Sequence, residues 1–189
     1  MNRWIAMAIV SAMSPMGCGR NASSSQTSAR DEEEPEAAVS PMDAREAAQW
    51  AAAAQGDPEE RMRIVDLVGC EGLRDRASQP DLRAVAIRAM QYCPDFGELP
   101  WLAEIAAGSN DAEAQVALES IDALAARPRR ATDPEDADEL RTGCDGLLAL
   151  ARSTSRSRER RVLAVRALRM LADRGCVRRA DIPTDVDVK

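Results

Sequence analysis

Residues 81–90 read DLRAVAIRAM, and their apolar side chains recur at the spacing of one helical face. These apolar positions are i, i+3, i+4, i+7 and i+8, occupied by Leu82, Val85, Ala86, Ala89 and Met90. Helical spacing continues through most of the chain from Met42 onward. No stretch alternates with period two for long enough to predict a strand. The sequence therefore predicts an all-α protein.

The composition of the 189 residues supports this fold class and excludes several functions. Hydrophobic residues make up 45% of the chain but aromatic residues only 3%, so much of the apolar content is alanine, which favours helix. The chain contains no histidine, which excludes a histidine-based catalytic triad and histidine metal ligands. A net charge of −7 argues against nucleic-acid binding. No phosphate-binding loop, nucleophile motif or metal-ligand cluster occurs, so we expect a protein that is not an enzyme and has no cofactor or metal.

Helix start and stop signals divide the helical pattern of apolar residues into segments. Polar N-cap residues, in two cases followed by proline, predict helix starts, and glycines predict helix ends. The start signals are Asp57-Pro58, Asn110-Asp111, Asp133-Pro134 and Ser157. The stop signals are Gly56, Gly69, Gly108 and Gly175.

Several of the predicted helices also resemble one another. The AIRAM of residues 86–90 aligns with residues 117–121 and 164–168, and residues 99–102 (LPWL) open a shorter second helix. This layout resembles a HEAT repeat. The resemblance implies a short right-handed α-solenoid of helical hairpins, in units 57–79, 80–109, 110–153 and 154–180. A non-repeating helical bundle is the alternative.

The N-terminus resembles a bacterial lipoprotein signal. A basic start at residues 1–3 precedes the apolar run of residues 4–13, which is too short to span a bilayer as a helix, and Gly17-Cys18 follows. The resemblance implies a signal peptide at 1–17 and a lipid on Cys18. The alternatives are an ordinary secretory signal and an apolar start with an incidental cysteine.

The segments after the signal differ sharply in composition. Residues 18–41 are serine-rich and then acidic, which predicts a disordered tether. Residues 42–180 form the predicted helical domain, and residues 181–189 a C-terminal tail. We therefore expect a protein of the cell envelope, lipid-anchored at the outer membrane or the periplasmic face.

The four remaining cysteines form an even set in a chain with an export signal, which favours disulfides. Cys70 and Cys93 occupy similar places in consecutive HEAT-like units, so their pairing is preferred, and Cys144 then pairs with Cys176 by elimination. Free buried thiols are the alternative, particularly for Cys144 on its apolar stripe.

Charge is distributed unevenly along the chain. Residues 150–180 hold ten arginines against two acidic residues, whereas residues 19–60 hold three arginines against ten acidic residues. Arginine is suited to bidentate contacts with carboxylate or phosphate. The candidate basic interaction patch consists of Arg152, Arg156, Arg158, Arg160 and Arg161. A solvated face balanced by nearby acidic groups is the alternative.

Because HEAT proteins are mostly adaptors, the resemblance implies a membrane-anchored scaffold that binds a protein partner. Two other functions stay open. One is a structural envelope lipoprotein without a specific partner. The other is a lyase-like accessory module, since HEAT-like arrays also occur in lyase-type proteins that handle bilin chromophores.

Overall fold

The computed structural model describes residues 42–128, 131 and 133–186, and this part of the chain is all-helical. The α-helices are α1 (Ala44–Ala54), α2 (Pro58–Ala77), α3 (Pro80–Ala89), α4 (Leu99–Ala107), α5 (Asp111–Ala126), α6 (Pro134–Arg152) and α7 (Arg158–Leu171). Short 3-10 turns cover Met90–Tyr92, Ala172–Arg174 and Arg179–Asp181.

The predicted helix starts are confirmed. Each of the four N-cap side chains accepts a hydrogen bond from a backbone N–H in the first turn of the helix that it precedes, which satisfies a donor without an intrahelical partner. These N-cap residues are Asp57, Asn110, Asp133 and Ser157.

Gly69 interrupts α2 where the sequence predicts a helix end, but no loop follows it. Its backbone leaves the helical region, with φ at 70° and ψ at 172°, but the chain resumes helical geometry at once and continues to Ala77. Glycine adopts this positive φ without the steric cost that a side chain would bring. The residue therefore kinks α2, and the helical segment beyond it was not predicted.

Helices α4 and α6 pack side by side and run in the same direction. Gly143 faces Leu99, and a Cβ on Gly146 would lie 3.1 Å from the Cβ of Ala103. Because residue numbers increase together along both helices, the two are parallel. The missing side chains of the glycines allow the backbones to approach closely.

Helices α5 and α7 form a second parallel pair. Arg160, in the first turn of α7, pairs with Asp111 at the start of α5. Farther along, Arg166 lies 2.7 Å from Asp122. Helix α3 also packs on α5, and α4 and α6 pack on α5 and α7 respectively.

Part of the predicted C-terminal tail packs against the helices. Ile182 and Val186 are buried, and Asp185 pairs with Arg161 on α7. The carbonyl of Asp181 accepts a hydrogen bond from Arg152 at 3.0 Å. The described segment after α7 therefore belongs to the folded domain.

Candidate interaction site

The predicted lipidation site lies outside the described residues. Cys18, the signal at 1–17 and the tether at 18–41 all precede residue 42, where the described chain begins. They stay predictions.

The four other cysteines form two disulfides, paired as the sequence analysis preferred. Cys70 is bonded to Cys93 and Cys144 to Cys176, with Cα–Cα distances of 5.9 and 5.7 Å. The first disulfide links α2 to the turn that follows α3. The second links α6 to the segment that follows α7. Each therefore joins two elements that are packed together.

The candidate basic patch is not a continuous surface. Arg160 is buried, donates to the carbonyl oxygen of Gly108 at 2.8 Å and pairs with Asp111. Arg161 is also largely covered, and its Nε donates to the carbonyl oxygen of Ala151 at 3.0 Å. Both arginines hold helix ends in place, and the burial of Arg160 removes it from any exposed patch. The interaction patch itself stays a prediction.

Arginines near the starts of three helices share one structural role that the sequence analysis missed. Each is the fourth residue after the N-cap position and donates to a carbonyl near the end of the preceding helix in the chain, where acceptors lack intrahelical partners. The pairs are Arg61 to Ala53 at 3.3 Å, Arg83 to Ala77 at 3.0 Å and Arg161 to Ala151 at 3.0 Å. Arginine at this fixed offset is the sequence signal that could have identified them.

A groove of about 400 Å³ lies along the parallel pair α4 and α6. Its floor is made of small residues, and apolar atoms dominate its walls. Helix α4 contributes Pro100, Ala103, Glu104 and Ala107, and α6 contributes Thr142, Gly146, Ala149 and Leu150. The contributions of α4 follow the spacing i, i+3, i+4 and i+7, so one helical face lines the groove along most of α4.

One end of this α4–α6 groove is polar and basic. Ser153, Ser155 and Arg156, from the loop between α6 and α7, line it. The two serine hydroxyls lie 2.9 Å apart and are hydrogen-bonded to each other. Among the described residues, Arg156 has no ion pair. The structure therefore leaves one arginine of the predicted patch available at the end of an apolar groove.

A second cavity, of about 320 Å³, is acidic. Burial raises the pKa of Glu98, although Arg74, whose Nε lies 2.6 Å from a carboxylate oxygen of Glu98, opposes the shift. Burial, together with the negative charges of Asp95 and Glu135, raises the pKa of Glu139. Within residues 42–128, 131 and 133–186, no cluster of three or more cysteine or carboxylate groups is placed to hold a metal ion.

Comparisons of the chain with protein-family models, curated proteins and solved structures found no match. In the part of the chain that the structure describes, no helix has both the length and the apolar character needed to cross a membrane.

Proposed function

We propose that the protein is a lipid-anchored lipoprotein of the cell envelope and that its helical domain is a scaffold that binds another protein. The observation that carries this proposal is the groove between α4 and α6. It is open along two helices, is lined mainly by apolar atoms with the carboxylate of Glu104 on one wall, and ends at Arg156, which is the character of a surface that receives a polypeptide segment.

The arrangement of the helices supports a HEAT-like solenoid. The pairs α4–α6 and α5–α7 are each parallel, as consecutive repeats require. The arginine four residues after the N-cap recurs at the starts of α2, α3 and α7 and bonds in each case to the preceding helix. Helix α5 lacks this arginine, because Ala114 stands at that position. Parallel stacking of successive hairpins is what a helical array needs, since each hairpin buries its apolar face on its neighbours.

The two disulfides support a location outside the cytoplasm. Disulfides form and persist in oxidising compartments such as the periplasm, and cytosolic reductants keep most thiols reduced. Both bonds link elements of the folded domain, so they fit a structural role. Export is also what the sequence of the first 18 residues predicts.

The anchor is tested by Cys18→Ala. Because the lipid is proposed to be the membrane attachment, this variant should move from the membrane fraction of a bacterial host to the soluble fraction. The matched control is Met16→Ala, which leaves the cysteine in place and should stay with membranes. If Cys18→Ala remains in the membrane fraction at the wild-type level, the anchor is wrong.

The scaffold function is tested by affinity capture from detergent-solubilised envelopes. Wild type should retain a stoichiometric partner, and Ala149→Trp, which fills the groove from an exposed position on α6, should lose it. The control is Ala84→Trp, at an exposed position on α3. Equal capture by both variants, or no stoichiometric partner with wild type, would contradict binding through the groove.

A further inference from the structure

We infer that the α4–α6 groove receives an amphipathic helix whose first turn is acidic, with that turn placed against Arg156. This inference rests on the proposed function, because it names the kind of partner segment that the same groove would bind.

The shape of the groove points to a helix. Two parallel helices in contact leave a valley between them, and a third helix can lay an apolar face into such a valley. The floor is closed because the Cα of Gly146 approaches Ala103. The groove extends from Pro100 to Ala107 on α4, a rise of about 10 Å, which corresponds to about two turns of a docked helix.

Charge sets the orientation of this helix. Arg156 lies at the end of the groove near the C-termini of α4 and α6, and no salt bridge joins it to a described carboxylate. The other charged residue of the lining, Glu104, stands on α4 about one turn before Ala107. Carboxylates are favoured in the first turn of a helix by the dipole of that helix. A partner helix that begins at Arg156 therefore pairs its first-turn carboxylates with both its own dipole and the guanidinium of Arg156. Such a helix would run antiparallel to α4 and α6.

The basic surroundings strengthen this preference. Arg158 is exposed, and it too has no ion pair among the described residues. Arg152 is also exposed, but it donates to the carbonyl oxygen of Asp181 and its charge is partly balanced by the carboxylate of the same residue. An acidic group entering this end of the groove therefore meets the guanidinium groups of Arg156 and Arg158, whereas a basic group would be repelled by them.

The test uses the purified full chain and two stapled peptides of about 15 residues. Peptides of this length are chosen because shorter free helices are only marginally formed in water. Both peptides carry leucines at i, i+3/i+4 and i+7. One has Asp-Glu-Glu in its first turn, and the other has lysines there. Measured by fluorescence polarisation, the dissociation constant of the acidic peptide should be about tenfold lower than that of the lysine peptide.

Variants assign this difference to the groove. Arg156→Glu should remove the preference for the acidic peptide, and Ala149→Trp should abolish binding of both peptides. Arg158→Glu is the matched control, because Arg158 does not line the groove, and it should change the dissociation constant less than the Arg156 variant does. Circular dichroism should show that all three variants keep the wild-type helix content.

The inference is overturned if neither peptide binds, if both bind equally, or if binding survives Ala149→Trp. The inference is also overturned if Arg158→Glu weakens binding of the acidic peptide as much as Arg156→Glu does. Attraction of the peptide to the basic surface in general, and not contact with Arg156, would then explain the binding. If neither peptide binds but Ala149→Trp still loses the partner captured from envelopes, the scaffold function stands. Only the proposed partner segment is then wrong.

Discussion

Arg160 on α7 and Gly108 at the end of α4 are hydrogen-bonded, with the guanidinium 2.8 Å from the carbonyl oxygen across 52 residues of sequence. The same side chain pairs with Asp111, in the first turn of α5. One buried arginine thus connects the end of α4, the start of α5 and the start of α7. A planar guanidinium with several fixed donors can make these contacts together, whereas a lysine ammonium cannot match their geometry.

Arg160→Ala should lower the free energy of unfolding by about 1 to 3 kcal/mol, because it removes a buried side chain and leaves the carbonyl of Gly108 without its charged donor. The pair with Asp111 adds little, since the carboxylate is exposed. Arg160→Lys should recover only part of the loss. Urea unfolding measures both. Arg158→Ala is the control, and we expect it to change stability by less than about 0.5 kcal/mol because this side chain is exposed. Equal effects of the two alanine variants would show that Arg160 has no special structural role.

Gly143→Ala should destabilise the protein although alanine is the better helix former. Replacing a glycine within a helix gains up to about 1 kcal/mol from propensity. Here, however, a Cβ would overlap the buried side chain of Leu99 and lie 3.0 Å from its carbonyl carbon. Overpacking of this kind costs about 1 to 3 kcal/mol, so the net effect should be a loss.

The measurement for Gly143 is a double-mutant cycle with Leu99→Ala. If the two side chains conflict, the loss caused by Gly143→Ala should shrink once Leu99 is truncated. Strict additivity of the two substitutions would mean that α4 and α6 do not approach as closely as described.

Reduction of the two disulfides should destabilise the domain. They close loops of 23 and 32 residues, for which the loop-entropy relation gives about 3 to 4 kcal/mol each. Thermal unfolding with and without reductant measures the change. Mass spectrometry after alkylation without reductant should find no labelled cysteine among Cys70, Cys93, Cys144 and Cys176. Four alkylated thiols would rule out both bonds.

Stability should respond to pH through Glu139. Because its pKa is raised by burial and by Asp95 and Glu135, the folded state binds the proton more tightly than the unfolded chain does. The contribution of this group to stability is therefore fully present below the unfolded-state pKa and is lost as the pH rises through the folded-state pKa.

Glu139→Gln removes this titration. At pH 7 the variant should have a higher melting temperature than wild type. The difference between the two melting temperatures should become smaller towards about pH 5. Scanning calorimetry at both values measures it, with Glu159→Gln, at an exposed position on α7, as the control. Arg74 and the neighbouring carboxylates stay unchanged; these carboxylates are Asp95, Glu98, Glu135 and Asp136. A difference that is constant or widens on acidification would contradict the raised pKa.

The helical segments could be read from the sequence because their signals are local. Apolar spacing and N-cap residues such as Asp57 and Ser157 act within a few residues of where they occur. Gly69 breaks the helix as its sequence context predicts, but a second helical segment follows directly, and this segment was not predicted. Only the conformations of the residues on both sides distinguish a kink from a stop.

The candidate site was less accessible to sequence reasoning because it depends on contacts between distant residues. A cluster of arginines near the start of α7 predicted a surface patch, but Arg160 is turned inward to Gly108, 52 residues away. The groove was not predicted either. Its lining of alanine and glycine on α4 and α6 looks like ordinary helix content until the two helices are placed side by side.

The groove as a partner site is tested most directly by photo-crosslinking in cells. A photoreactive phenylalanine at position 149 should give a discrete crosslinked species of higher mass that depends on ultraviolet light, because this position lies in the groove. The same probe at position 84, on α3, should give none. Crosslinks absent from position 149, or equally strong at position 84, would contradict the account.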